Sequence, residues 1–227
     1  MHFSLIMPVL NEEAVIGHHL GILINQIARY NCELLIVDGG STDHTVEIAH
    51  RFGRVISSQR GRAAQMNCGA HVASGETLLF LHADTLLPDN ALDAIESTLK
   101  AHDVVGGAFR ICFNCDVWTY RLVAFITNLR SRFGKIFTGD QAYFVRSKSF
   151  HDIGGFADQP LMEDLEIMRC LRKIGKVVLL PQYVTTSARR HEKIGLIRCI
   201  LFMWYLRTLY RFGTSPAKLH RRYIDVR

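Results

Sequence analysis

Five short segments of this 227-residue chain carry side chains able to do chemistry, and each stands at the edge of an apolar run. The run Leu78-Leu79-Phe80-Leu81-His82-Ala83-Asp84 delivers a carboxylate at its tip. An ionised Asp there is costly unless it meets a cation or water, and Mg²⁺ or Mn²⁺ bridging a diphosphate would use it. Asp84 is therefore the candidate metal residue, with a plain loop Asp turning the chain before Pro88 as the alternative. Between Arg60 and Ala70 a helix opens with two guanidinium groups among small residues. Arginine forks match phosphate geometry, so a diphosphate is the natural partner, and Arg62 and Asn67 are the candidate contacts. At Met162-Glu163-Asp164 two acids start another helix, whose dipole would keep a carboxylate ionised and suited to accept a hydroxyl proton. Ordinary capping explains the same pair.

Two further segments suit a nucleotide. In Met7–Glu13, Pro8 ends a strand while Asn11 and Glu12 begin a helix whose N–H groups could face a phosphate or ribose, or serve only as a cap. In Val37–Asp43, Asp38 sits at a strand's carboxyl end, where it can accept from a ribose or a base. Gly39 and Gly40 beside it permit a ligand close to the backbone. The G-x-G-x-x-G of dinucleotide-binding proteins is absent, which disfavours a dehydrogenase. Gly139-Asp140-Gln141 and Gly154-Gly155-Phe156 are expected to shape an acceptor side. For Trp118, Tyr120 and Phe125, helical spacing favours core packing over an apolar acceptor groove.

The elements that must position these residues alternate. Apolar runs at Phe3–Val9, Glu33–Val37, Arg54–Ser57 and Thr77–Leu81 predict buried strands, and Glu12–Tyr30, Asp43–Phe52, Arg62–Ala73 and Asp89–Ala101 predict helices between them. That order predicts an α/β fold with a mostly parallel central sheet flanked by helices and ligands at the strands' carboxyl ends. After residue 102 longer pieces (Val104–Phe113, Gln141–Arg146, Lys176–Leu180, Tyr183–Thr186) alternate with helices Val117–Phe133 and Met162–Ile174, the latter with an inward stripe of Leu165, Met168, Leu171 and Ile174. One domain over 1–187 is expected, its nucleotide-sugar half being 1–101 and its acceptor half 102–187, with a basic helical extension over 188–227.

Charge marks that extension. Residues 188–227 carry ten Lys and Arg against Glu192 and Asp225, whereas residues 1–187 are close to neutral. A nucleic-acid domain spreads its basic face over the fold, so a nucleic-acid partner is not expected; the tail suits an anionic surface or acceptor. Helix Ile194–Phe212 is too interrupted by charge to span a bilayer but could lie on one. No secretory leader is legible at the start, so a cytoplasmic location is expected, with peripheral contact to the inner face of the membrane. Six scattered cysteines suit reduced thiols, and Cys112-x-x-Cys115 lacks a second pair for a four-ligand zinc site.

In order, Pro8–Glu13, Val37–Asp43, Arg62–Gly69, His82–Asp84 and Glu163–Asp164 resemble the family 2 glycosyltransferases of the GT-A fold, over most of residues 3 to 180. Within them the chain is similar to short bacterial members with V-D-G-G-S-T-D, H-A-D and a late S-A-R-R (Ser187–Arg190), of the selenodomain-associated or carotenoid-acid-glycosyltransferase-like kind. The resemblance implies an inverting transferase for a UDP- or GDP-sugar, with a small-molecule or lipid acceptor. It makes Asp38 the nucleoside contact, Asp84 the metal ligand and Asp164 the base. Pro8, Asn11, Glu12, Gly39, Arg62, Asn67, His82, Ala83, Gly139, Asp140, Gln141, Glu163 and Arg190 follow as substrate-binding residues. His191 follows as a further metal or diphosphate contact, or a solvated basic edge. Two positions depart from the family pattern: Gly39 stands for a second Asp, and His82 for the first Asp of D-x-D. His82 could ligate Mn²⁺ or hydrogen bond to the ribose or a neighbour, and the hydrogen bond is favoured. The other class in view is a catalytically silent sugar-nucleotide-binding or membrane-docking protein.

Overall fold

The computed structural model describes residues 1–188 and 195–224. Arg190 and His191 lie outside the described residues. Strands β1 (Phe3–Val9), β2 (Cys32–Asp38), β3 (Arg54–Ser57) and β4 (Thr77–Phe80) pair in parallel, in the order β3-β2-β1-β4. Helices α1 (Glu13–Ile27), α2 (Thr45–Ala49) and α3 (Arg62–Val72) connect them, and α4 (Ala91–Leu99) follows. The register sets Val9 beside Asp38 and Ile6 beside Phe80, so the loops after β1, β2 and β4 open on one edge of the sheet.

Alternation along β1 explains the layers. Phe3, Leu5, Met7 and Val9 face a core shared with Ile16, Leu20 and Leu23 of α1 and Leu92 and Ile95 of α4. Ile6 faces the other side with Ala63, Met66 and Ala70 of α3. The small residues of α3 have a packing cause, since a Cβ on Gly69 would stand 2.5 Å from Ile6 Cγ2.

Beyond residue 102 the sheet becomes mixed. Strands β6 (Val104–Phe113) and β7 (Tyr143–Arg146) pair antiparallel, β7 runs antiparallel to β4, and β8 (Lys176–Thr186) lies parallel to β6. The two pieces expected at 176–180 and 183–186 are one strand, because a register irregularity between Ala108 and Arg110 of β6 accommodates Pro181. A two-residue strand, β5 (Thr85–Leu86), was not legible in the sequence and pairs with the end of β8. Helices α5 (Trp118–Gly134), α6 (Ser147–Asp152) and α7 (Glu163–Ile174) complete this half. The inward stripe of α7 is Ile167, Met168 and Leu171, while Ile174 is exposed. Leu165 turns instead to a cluster of Leu161 and Met162 with Leu206, Leu219 and Tyr223 from helices α8 (Leu196–Arg211) and α9 (Pro216–Ile224). Among the described residues no helix is long and apolar enough to cross a membrane, and all six cysteines are free.

Core packing fails for two of the three aromatics on α5. Trp118 and Phe125 are exposed, and Tyr120 stacks edge-on against Phe113. The helical spacing is real, but it describes the outward side of this helix.

Candidate active site

The first cluster lies where β1 and β2 end. Asn11 takes a left-handed φ of 53°, a conformation Asn tolerates, and aims its amide across the gap, where Oδ1 accepts from Thr42 N at 2.9 Å. Ser41 Oγ accepts from Asn11 N at 3.0 Å, and Thr45 Oγ1 from Glu12 N at 2.7 Å. Pro8 stands half-buried opposite Val37. Asp38 is buried and accepts from Gly40 N at 2.9 Å, from Ser41 N at 3.1 Å and from the Ser41 hydroxyl. Both its oxygens thus brace their own loop.

Gly39 answers to packing. A Cβ there would fall 2.9 Å from the Gln65 amide. Gln65, missed in the sequence, is buried and donates from Nε2 to Val9 O and Val37 O, each at 2.8 Å, tying β1 to β2 at the mouth of the cleft. Gly40, exposed at φ 91°, is the glycine that opens the loop. Asn67, expected beside Arg62, instead closes a ring with the backbone of Phe156, donating to its carbonyl at 2.8 Å and accepting from its N–H at 2.9 Å.

The second cluster gathers residues from β4 to α8. His82 to Thr85 form a tight turn, with Thr85 N donating to His82 O at 3.1 Å, which places Ala83 inside and Asp84 at the rim. The His82 ring faces Gly139, where a Cβ would stand 2.7 Å from Cε1. Burial first, and then the Arg62 guanidinium, push the His82 imidazole down to about 4, so it is neutral at pH 7. Arg62 lies 3.4 Å from Glu163, which is only 4% exposed. Burial works against the Arg62 charge, but Glu163 and Asp164 outweigh it and hold the guanidinium protonated.

Glu163 and Asp164 follow Met162, whose φ of 68° is strained for a residue with a side chain, and of the two Glu163 is buried and Asp164 half-buried. Asp164 Oδ1 accepts from Leu165 N at 2.8 Å. The helix dipole was expected to keep this carboxyl readily ionised. Burial, and then neighbouring Glu163, instead raise it to about 6.

Three participants carried no motif. Arg130 of α5 faces Asp140 and Asp164, and burial followed by Arg207 of α8 lowers it to about 10. Its Nε is buried without a hydrogen-bond partner. Tyr143 on β7 is buried beside the same acids, which with burial keep its phenol protonated. Exposed arginines are common enough that neither Arg130 nor Arg207 stood out, and only their meeting singles them out. In the turn Gly139–Gln141, Gln141 is structural, donating to Phe109 O at 2.9 Å and accepting from Thr138 N at 3.0 Å.

A divalent cation fits the chemistry of this rim. Asp140 has a buried Oδ1 without a hydrogen-bond partner, close enough to His82 to affect it, as is Asp84. Among the described residues no three His, Cys, Asp or Glu side chains converge as a metal cage. A hard cation held by one or two carboxylates with substrate phosphates completing its shell needs none.

The glycosyl transferase family 2 model matches residues 4–157, a span that holds the first cluster and β4 through β7 and ends before Glu163 and Asp164. The chain belongs to this family. A PGL/p-HBAD biosynthesis glycosyltransferase of Mycobacterium tuberculosis is 43% identical over 113 residues, covering 44% of this chain and 43% of that protein. An uncharacterized glycosyltransferase of Haemophilus influenzae is 33% identical over 98 residues, or 40% of this chain and 39% of that one. The family 2 chain thus spans less than half the length of these curated relatives. Among solved structures, the mannosyltransferase PcManGT of Pyrobaculum calidifontis, in complex with GDP-Man and Mn²⁺, aligns with 96% of this chain and 68% of its own at a TM-score of 0.66 and 18% identity. S. aureus TarS aligns with 82% and 37% at a TM-score of 0.67 and 21% identity. The fold is of the GT-A type. In this family 2 chain the S-A-R-R segment begins next to the Asp84 turn, since Thr186 pairs with Thr85 and Ala188 N donates to Asn114 Oδ1 at 3.1 Å.

Proposed function

We propose that the chain is an inverting glycosyltransferase that moves a sugar from a UDP- or GDP-sugar to an acceptor hydroxyl or carboxylate, with Asp164 as the base. One observation carries this reading. Asp164, half-buried and raised to about 6 by desolvation and by Glu163, shares one cluster with Arg62 and with the metal-suited rim of Asp84 and Asp140, as single displacement at an anomeric carbon needs. Pro8, Asn11, Glu12, Asp38 and Gly39 frame the nucleoside, and Arg62 meets the diphosphate. Asp84, with the Asp140 oxygen and His82 at hand, would hold Mg²⁺ or Mn²⁺, which supplies charge neutralisation for the departing nucleotide. Mn²⁺ beside GDP-Man in PcManGT supports the choice of cation and donor class. On this reading Arg190 and His191 add contacts to the diphosphate and metal.

The proton balance is simple. The acceptor O–H gives its proton to Asp164 as oxygen attacks the anomeric carbon, and the bond from that carbon to the diphosphate breaks with the electron pair leaving on phosphate. Glu163 stays paired with Arg62, which keeps the base the one free acid of the two. Tyr143, held neutral, donates to Phe137 O at 3.4 Å and does not compete for the proton.

The chain is read as one transferase domain over 1–187 with the extension 188–227, of the short bacterial subgroup named above. It works in the cytoplasm, with α8 near a membrane and a lipid as one acceptor class. Isothermal titration of UDP- and GDP-sugars with and without Mn²⁺, followed by hydrolysis and transfer assays, tests it. Asp84→Ala should abolish the Mn²⁺-dependent part of nucleotide affinity, and unchanged affinity refutes the metal role. Binding without any hydrolysis or transfer favours the silent binder.

A further inference from the structure

Helix α5 is packed on one side and apolar on the other. Its inner side holds buried Ala124 and Ser131, and Asn128 exchanges two hydrogen bonds with the Ile111 backbone, at 2.9 and 3.0 Å. On the outer side Trp118, Leu122, Phe125, Ile126, Leu129 and Phe133 project within an arc of about 100°, at about 100° per residue. Trp118 is 71%, Phe125 61% and Phe133 75% exposed. These three rings alone leave on the order of 400 Å² of apolar surface in water. Patches of several hundred Å² mark interaction surfaces.

The charges of the helix itself have one sign. Helix α5 contains no Asp or Glu. By the same projection Arg121 and Arg132 flank one edge of the arc and Arg130 the other. The Arg132 guanidinium lies 5.9 Å from the Phe133 ring, and Lys135 caps the helix in a left-handed turn. Arg172 of α7 donates to Gly134 O at 3.2 Å, adding a further cation at the same end. Asp116, paired with Arg121 just before the helix starts, is the acid nearest the other end. Packing a second copy of this face on itself would bring Arg132, Lys135 and Arg172 together with their like, with Asp116 already paired to Arg121.

We infer that the outer face of α5 seats in the surface of an anionic lipid bilayer. Aromatic and aliphatic side chains would enter the boundary between headgroups and acyl chains while Arg121, Arg132, Lys135 and Arg172 meet the anionic headgroups. This goes beyond the contact proposed for α8, and it stands whether or not the chain transfers sugar. It also gives the bilayer a bearing on the site, because Arg130 on the same helix faces Asp140 and Asp164.

Trp118 and Trp204 are the two tryptophans of the chain, so single-tryptophan variants report each helix separately. In the full chain carrying Trp204→Phe, emission from Trp118 should shift to the blue on adding phosphatidylcholine vesicles that contain phosphatidylglycerol. The chain should co-sediment with those vesicles, and less with phosphatidylcholine alone or in high salt. The double variant Phe125→Ser/Phe133→Ser should bind about 100-fold more weakly. Both rings are exposed, so its melting temperature and nucleotide-sugar hydrolysis should be unchanged, which separates failure of docking from failure of transfer. No blue shift, equal binding to neutral vesicles, or undiminished binding of the double variant overturns the inference. So does self-association of the chain through this face without vesicle binding.

Discussion

The loops after β1 and β2 and the cluster around Asp164 are both built at the sheet's open edge, yet they treat polar groups in opposite ways. In the loops nearly every donor has a local acceptor: Asp38 with Gly40 and Ser41, Asn11 with Thr42, Gln65 with Val9 and Val37. The cluster brings Glu163 against Asp164 and Arg130 against Arg207, and leaves Asp140 Oδ1 and Arg130 Nε buried without partners. Satisfied loops are rigid and ready to receive a ligand that asks for little rearrangement. Unsatisfied buried charge is costly and is retained where charge must move. On the proposed function, the difference separates a holding region from a reacting one.

The largest expected effect breaks the reacting side alone. Asp164→Asn should lower turnover by about 10²–10⁴-fold, the range of general-base catalysis, while nucleotide affinity measured by titration stays within a few-fold. Equal loss of both would erase the distinction. Next, Arg62→Met leaves Glu163 buried beside Asp164 without its cation. Urea unfolding should show a loss of about 2–3 kcal/mol, below the 3–5 of fully buried pairs because the Arg62 side chain is 40% exposed. Adding Glu163→Gln should restore part of it.

On the holding side, Gln65→Ala should cost about 2 kcal/mol in the same assay, from two hydrogen bonds and the carbonyls left behind. Gly39→Asp, which restores the more usual family residue, should cost about 1–3 kcal/mol by overpacking against Gln65, and less when combined with Gln65→Ala. The smallest effect concerns pH. Asp164 is raised from an ordinary 3.8 to about 6, so between these values the folded chain binds the extra proton. Stability should therefore fall as pH rises through that window, while turnover rises through about 6. Asp164→Asn should flatten both profiles, as followed by thermal melts and initial rates.

Much of this was legible before any coordinates. The strands Phe3–Val9 and Val104–Phe113 fall where apolar, β-rich runs predict them, because burial on both sheet faces demands such runs, whereas Arg54–Ser57 has the expected bounds but is an edge strand and not a buried one. Arg62, His82, Asp84, Glu163 and Asp164 announced themselves as polar residues at the ends of those runs. Gln65, Arg130, Tyr143 and Arg207 did not, since each is an unremarkable residue on a helix or strand whose meaning comes from what it meets. The α5 aromatics show the converse. Their periodicity is plain in the sequence, but periodicity identifies a helix face and not what lies against it.

The sequence alone determined the alternating elements, the chemistry waiting at their ends and the basic close of the chain, because these follow from local patterning and residue type. Only the tertiary structure decided which charges face one another. It packed Gln65 against Gly39, tied Asn67 to the backbone of Phe156, and left one face of α5 in water. Such outcomes depend on contacts between residues far apart in the chain, and with them on the burial and electrostatics that moved Asp164 to about 6.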